Sequence, residues 1–514
     1  MKLFNLIFFS ITVLQCSAQK IIYSDFEKED FDRFRFDVIA KHNDRILVYK
    51  GIYLKADGGT SSPDNSIMEN RICFYDLQMK IVQQIILPLP KEISGVHFLT
   101  YEDHFFMFYQ YQRGHTIHCM TLKIDMDGKI IGAPIEMDKT TIADIHYQSK
   151  IYSVINSANK KNIAAFKIDN SDDRSYTITS LFFNDKLELL HRSSDTIFIA
   201  DEIFFREFNI DDEGDLAFVG IRETSQKNDH AKAIFFSFKR SENKMFHDFL
   251  IPTDLFVDNV RLEVDNVNRK YILTSFYSEK PNGNIKGLYS VIKDAATDNN
   301  ISITKTILSD TLATQLGGDL SNRFNNYYLQ NIHLRQNGGF VAEAIELSTG
   351  SQNQLFIRWN YFHLIAKSVA SNFVFYDQNA FNYYTPWMQG NFSSLNTLVM
   401  SFSDRGILEW INVVKTSQED KFQAALGYAS VVANGLIYFV FNEKLKSKIF
   451  LVAQSINTTG QLNTDSRLKE DLEIRGQNKD LTHYPRFAKP VSANEIIFPC
   501  RKNRGYICLA KIEF

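Results

Sequence analysis

The residue types that could carry chemistry are concentrated in a few places. His97, His104, His115 and His118 put four of the chain's 12 histidines within a short stretch. A metal site needs such donors to converge, and strand alternation sets His115 and His118 on opposite faces of one strand. No carboxylate-rich partner motif accompanies them, so no metal site is expected. Asp125-Met126-Asp127-Gly128 and Asp211-Asp212-Glu213-Gly214-Asp215 resemble pieces of calcium loops. An EF-hand frame fails on both, because Lys123 occupies position 1 of the first and Gly220 stands where the second needs Glu. Polar hairpin turns account for them, since Asp and Gly suit the backbone angles of such turns. No Gly-x-Ser-x-Gly elbow, His-Glu-x-x-His or phosphate-cradling Gly-x-x-x-x-Gly-Lys occurs. A two-carboxylate hydrolase has no short linear signature and stays open, with no pair to name. No cofactor is expected.

The chain opens MKLFNLIFFSITVLQCSAQK. Lys2, a short apolar run from Leu3 to Leu14, and small residues before Gln19 form a secretory signal, with cleavage before Gln19 expected. The rival is a lipoprotein signal with Cys16 lipidated, but Gln15 stands where Gly, Ala or Ser is wanted. Residues 1–18 are thus read as a signal peptide and 19–514 as one domain. The address is beyond the inner membrane: periplasmic, outer-membrane-associated or extracellular, with no later segment apolar enough to span a bilayer. Cys73, Cys119, Cys500 and Cys508 remain after cleavage. Export permits disulfides, and Cys500 and Cys508 flank a turn around Asn503–Gly505. A three-residue loop sets the two cysteines opposite each other, and a two-residue turn separates them. The alternative is buried free thiols. No CxxC motif is present.

The elements that must hold these residues are short strands. RILVYKGIYL (45–54), HFFMFYQYQ (104–112), KYILTSFYS (270–278) and LIYFVFN (436–442) are examples, rich in aromatic and β-branched types. With 43 Phe and 23 Tyr against 3 Trp, the composition also favours strands. Helical periodicity is scarce, its best candidate being residues 418–430. Turn signatures recur around Asp125, Asp211, Ser403 and Asn457, and Gly406 and Gly460 are 54 residues apart. Gly435 and Glu495 are 60 apart. A degenerate period in this range marks repeated four-stranded sheets. The expected fold is all-β: a β-propeller of seven or eight four-stranded antiparallel blades, closed by pairing of the terminal strands. Lys and Arg total 57 against 60 Asp and Glu, so no global field favours nucleic acid as a partner.

Three segments carry a family likeness. Ser275-Phe276-Tyr277-Ser278 with Lys286-Gly287-Leu288-Tyr289 is similar to one recurring stretch, with Ser275 where Gly is usual. Residues 180–194 resemble a second, with His191 in place of Trp. Asp404, Gly406, Ile407, Leu408 and Trp410 match a third. On these segments the chain resembles an uncharacterised family of exported bacterial β-propeller-like proteins, and the likeness covers most of 140–514. It implies export and a propeller body, and no activity.

Residues 353–394 read as an insertion between strands near 340–347 and 396–402, dense in aromatics. Trp359, Tyr361, Tyr376, Tyr383, Tyr384 and Trp387 are the candidate ligand-binding residues, as Tyr and Trp dominate binding hot spots. A long hairpin packed on its own blade is the structural alternative. The expected function is non-enzymatic binding or scaffolding, with a glycan, peptide or envelope protein as partner. The rival is a propeller hydrolase or lyase acting on polysaccharide or peptide. A tunnel lined with Asp, Glu, His and Arg would favour the enzyme, and a flat aromatic rim the binder.

Overall fold

A computed structural model describes residues 20–514 apart from 29–33, 54–66, 91–92, 143–150, 173–174, 199–202, 223–231, 251, 253, 281–282, 310–311, 313–323, 350–388, 423–424, 446–447, 464–480 and 503–504. The signal region and the six candidate aromatics of the insertion lie outside the described residues.

The chain is an eight-bladed β-propeller of four-stranded antiparallel sheets. The blades span residues 34–86, 93–141, 153–198, 203–249, 256–307, 327–422, 428–463 and 481–513. The first strands of neighbouring blades touch one another and so ring the axis. Fourth strands such as Ile81–Ile86 and Asn300–Ile307 are largely exposed and form the rim. Among the described residues one pair, Ile67 and Ile93, joins blades 1 and 2 into one continuous sheet. Blade 8 is completed by the other end of the chain. Lys20–Tyr23 pairs with Tyr506–Glu513 in the register Lys20–Glu513, Tyr23–Ala510. The apolar C-terminal strand therefore closes the ring, as expected from its sequence. The inner strand of this blade is broken into Leu481–His483 and Lys489–Ser492 by a 3-10 turn at Pro485–Phe487.

The core is divided among the seams between blades. Each of eight large apolar clusters draws on two adjacent blades, because each sheet buries both faces. Between blades 3 and 4, Phe166 stacks on Phe208 at 4.4 Å, and Phe218 lies 5.0 Å from Phe236. Offset ring pairs add about 1 kcal/mol each beyond the area they bury. This is what the Phe excess supplies.

One turn chemistry recurs between third and fourth strands. A side-chain oxygen at the first position accepts from backbone N–H groups two and four residues on: Asp125 from Asp127 and Lys129, Ser403 from Arg405 and Ile407, Asn457 from Thr459 and Gln461. The residue three positions on has positive φ, namely 86° at Gly128, 73° at Gly406 and 82° at Gly460. The 54-residue spacing of Gly406 and Gly460 is thus the blade repeat itself. Asp211 caps Glu213 and Asp215 in the same way between first and second strands, so both calcium-loop look-alikes are turns.

Two expectations are corrected. Residues 418–430 are not a helix: Gln418 to Phe422 ends the strand Leu408–Phe422, and Tyr428–Ala433 opens blade 7. Gln418 pairs with Ser394 and Asp420 with Phe392, so long-range pairing overrides local propensity. The insertion is also shorter than read. Its last residues belong to Gln389–Phe402, where Phe392 is buried and pairs with Thr349.

Candidate functional site

Charged and amide side chains collect on the inner strands around the axis. Among the described residues the inner strand is bulged against its neighbour in six blades: between Val38 and Ala40, Ser94 and Val96, Arg206 and Asn209, Asp258 and Arg261, Leu329 and Asn331, and Pro490 and Ser492. A bulge leaves an extra residue unpaired and re-aims the side chains beside it. At blade 4 it holds Glu207 at a φ of 56°, a left-handed conformation a non-glycine residue adopts at a cost.

Two neighbouring features result. The first is a cavity of about 270 Å³ bounded by the inner strands of blades 1 to 4 and by the second and third strands of blade 2. Arg35, Asp37, His97, Asn156 and Asn209 line it. Its walls are fixed by Gln110, whose Oε1 accepts from the backbone N–H of Ile151 at 2.7 Å and Tyr152 at 3.1 Å. Gln110 Nε2 donates to the Tyr152 carbonyl at 2.9 Å, so this side chain staples blade 2 to blade 3. His97 Nε2 lies 3.3 Å from Asn156 Oδ1, Arg35 donates to the Val96 carbonyl at 3.3 Å, and Asp37 is 3.7 Å from Lys489.

The second is an ionisable cluster across blades 4 to 7. Arg261 pairs with buried Glu207 at 3.2 Å, and the Leu262 N–H donates to the other Glu207 oxygen at 3.3 Å. On blade 6, His333 Nε2 donates to fully buried Glu343 at 2.7 Å, and Asn331 donates to its second oxygen at 2.9 Å. Ser430 of blade 7 lies 3.1 Å from both His333 and Asn331. Burial pushes Glu343 up, but His333, Asn331 and Ser430 outweigh it and hold the carboxyl below its usual range. Burial pushes His333 down, and Glu343 with Glu263 raises it above the usual imidazole value. Between these pairs stands Glu263, pushed up to about 7 by burial, with Glu207 adding to the rise and Arg261 and His333 opposing it. Asn209 joins the two features: it lines the cavity and donates to the Leu262 carbonyl at 3.0 Å, one residue from Glu263.

Among the described histidines singled out from sequence, only His97 lines the axial cavity. His104 stacks on Tyr101, His115 lies 3.3 Å from the Ile142 carbonyl, and His118 lies 2.6 Å from Glu136. Cys500 and Cys508 stand directly opposite in register, both buried with free thiols, and Lys502 pairs with Tyr506 across the intervening loop. The axial cluster was not read from sequence. Its trace is the charge set inside apolar strands, as in Arg261-Leu262-Glu263-Val264 and Asn331-Ile332-His333-Leu334. A strand buried on both faces should carry no such charges unless they meet partners.

No family model matches the chain, and no curated protein does. Solved structures resemble it distantly. A prolyl endopeptidase structure aligns at 10% identity and a TM-score of 0.41, covering 93% of this chain and 55% of that one. The chain therefore spans about half the length of that relative. The WD40 domain of SCAP from fission yeast aligns at 9% identity and 0.39, covering 94% and 98%. A polysaccharide lyase aligns at 9% and 0.40, covering 96% and 99%. At these identities the likeness is one of fold alone.

Proposed function

We propose that this is an exported binding propeller, of the uncharacterised exported type it resembles in sequence, that takes a polar ligand in its axial cavity. The observation that carries the reading is the 270 Å³ space walled by Arg35, Asp37, His97, Asn156 and Asn209. Concave sites with a few convergent polar groups are where ligands dock, and this volume suits a sugar unit or a peptide end. The aromatic insertion remains a candidate second contact for a glycan, peptide or envelope protein. The test is an array of glycans and peptides probed with the mature protein and with Asn156→Trp, which fills the cavity. The expected result is a ligand held by the parent and lost by the variant, with little change in Tm. Ligand retained by a folded Asn156→Trp protein places binding elsewhere.

The ionisable cluster supports a second reading, a hydrolase or lyase. The Glu343–His333 pair is a carboxylate-oriented imidazole beside a carboxyl that titrates near neutrality, the equipment of general acid–base chemistry. Recovery of the array ligand separates the readings. A binder returns it intact, and an enzyme returns fragments whose yield collapses in His333→Asn.

A further inference from the structure

The cluster's charges do not cancel. Glu207 has Arg261, and Glu343 has His333 and Asn331. Glu263 makes no hydrogen bond or ion pair among the described residues, although it is partly buried. The charges that reach it are Arg261 on its own strand, Glu207 on blade 4 and His333 on blade 6. The inner strand of blade 7, Tyr428–Ala433, carries no charge. Both cations are thus already engaged by closer carboxylates. With Glu263 ionised, three carboxylates face one guanidinium and at most one imidazolium. A partly buried carboxylate left without a partner is costly, and folded proteins retain such groups where something else supplies the counter-charge.

We infer that Glu263 is the recognition carboxylate of the axial site and takes a cationic group of the ligand, an ammonium or a guanidinium. The inference rests on the axial cavity being the ligand site. Asn209 lines the cavity and donates to the carbonyl of Leu262, the residue before Glu263, so the Glu263 segment is tied to the cavity's edge. Ligands of this class include amino sugars and peptides with a free amino terminus or a basic side chain. A neutral polyol or a simple carboxylate leaves the uncompensated charge where it was. Capture of a cation favours ionised Glu263, so binding near neutral pH releases a proton from it.

The test uses the mature chain carrying glutamate labelled with carbon-13 at the side-chain carboxyl. The Glu263 signal is assigned by its loss in Glu263→Gln, which keeps the side-chain shape. Methylguanidinium chloride is the probe, and sodium chloride of equal ionic strength, sodium acetate and glycerol are the controls. Methylguanidinium should move the Glu263 signal saturably and lower its titration midpoint by about half a pH unit or more relative to sodium chloride. The signals of Glu207 and Glu343, each already paired, should move less. An equal midpoint in methylguanidinium and sodium chloride overturns the inference, as does a saturable response to acetate. The amide side-chain signals of Asn156 and Asn209 report separately on the cavity. If glycerol or an array ligand moves them while Glu263 ignores methylguanidinium, the cavity binds and the cationic preference is wrong. If none of these probes moves them or Glu263, the axial binding reading falls as well.

Discussion

Charged groups are buried in two kinds of place in this propeller, at the seams between blades and on the axis. At the seams each lysine is fully engaged. Lys167 of blade 3 meets Asp138 from the outer strand of blade 2 at 3.0 Å, and the same carboxylate takes Arg192 at 3.1 Å and the Tyr152 hydroxyl at 2.8 Å. Burial pushes Asp138 up, but these partners outweigh it and hold it low. Lys293 of blade 5 reaches back to Asp248 of blade 4 at 3.0 Å, and Lys50 of blade 1 to Glu27. A blade with two buried faces offers its neighbour few directional contacts, and a lysine met by a carboxylate of the preceding blade supplies one. On the axis the pairing stops one group short, at Glu263. Complete pairing marks the structural clamp, and the leftover charge marks the position held for something else.

The largest expected effect comes from cutting a clamp. Lys167→Ala leaves Asp138 buried with its main cation gone and should lower stability by about 3 kcal/mol in denaturant unfolding. A loss below about 1 kcal/mol would make the clamp incidental. Glu263→Gln should act in the opposite direction. Its carboxyl titrates near 7 in the fold against 4.5 ordinarily, so the folded chain binds the extra proton and stability drains away as pH rises from 4.5 to 7. The Gln variant should therefore match the parent at pH 4 and exceed it at pH 8, by up to about 3 kcal/mol. A variant less stable than the parent at pH 8 would mean Glu263 has a structural partner after all.

His483, at the seam where the terminal strand closes the ring, slopes the other way. Burial lowers it to about 4, and it lies 2.8 Å from the Tyr23 hydroxyl. The unfolded chain takes up its proton first, so this group's contribution is complete above pH 6.5 and is lost as pH falls toward 4. In the parent the two slopes offset each other. Glu263→Gln should expose a rise in stability between pH 4.5 and 6.5, and His483→Gln should expose a fall, each visible in melts across that range.

Smaller effects test the frame that carries both regions. Gly128→Ala places a side chain at a φ of 86° with its Cβ 2.3 Å from Ile85 Cδ1, and should cost about 2 kcal/mol. The smallest change expected is from replacing residues 350–388 with a tight turn. Thr349 and Phe392 already pair at the base, and shortening a loop changes its closure entropy slowly, so Tm should move by only a few degrees. Failure to fold would make the aromatic segment part of the core.

Much of the frame was legible without coordinates. Alternating aromatic strands and Asx-type turns at a repeating interval require antiparallel sheets of one size, and the apolar C-terminal strand had to find an edge. Even here the reading depended on glycine. Asp76 and Asn184 cap the same turn, but their positive-φ positions hold Met79 and Leu187, at 61° and 62°, and so carry no turn signature. The break of the 418–430 segment into two strands was not legible either, because its partners lie in Gln389–Ser394, far upstream of the local pattern.

The sequence by itself determined the period, the sheet type and the closing strand, because these follow from local alternation and from side chains that bond backbone within five residues. The number of blades and the axial site were decided only by tertiary structure. Glu207, Glu263 and Glu343 come from three blades, and the neighbours of each are brought to it by the packing of blades round the ring and by bulges that leave no mark in composition. A carboxylate's meaning here is set by which cation reaches it, and that is a property of the ring rather than of any strand.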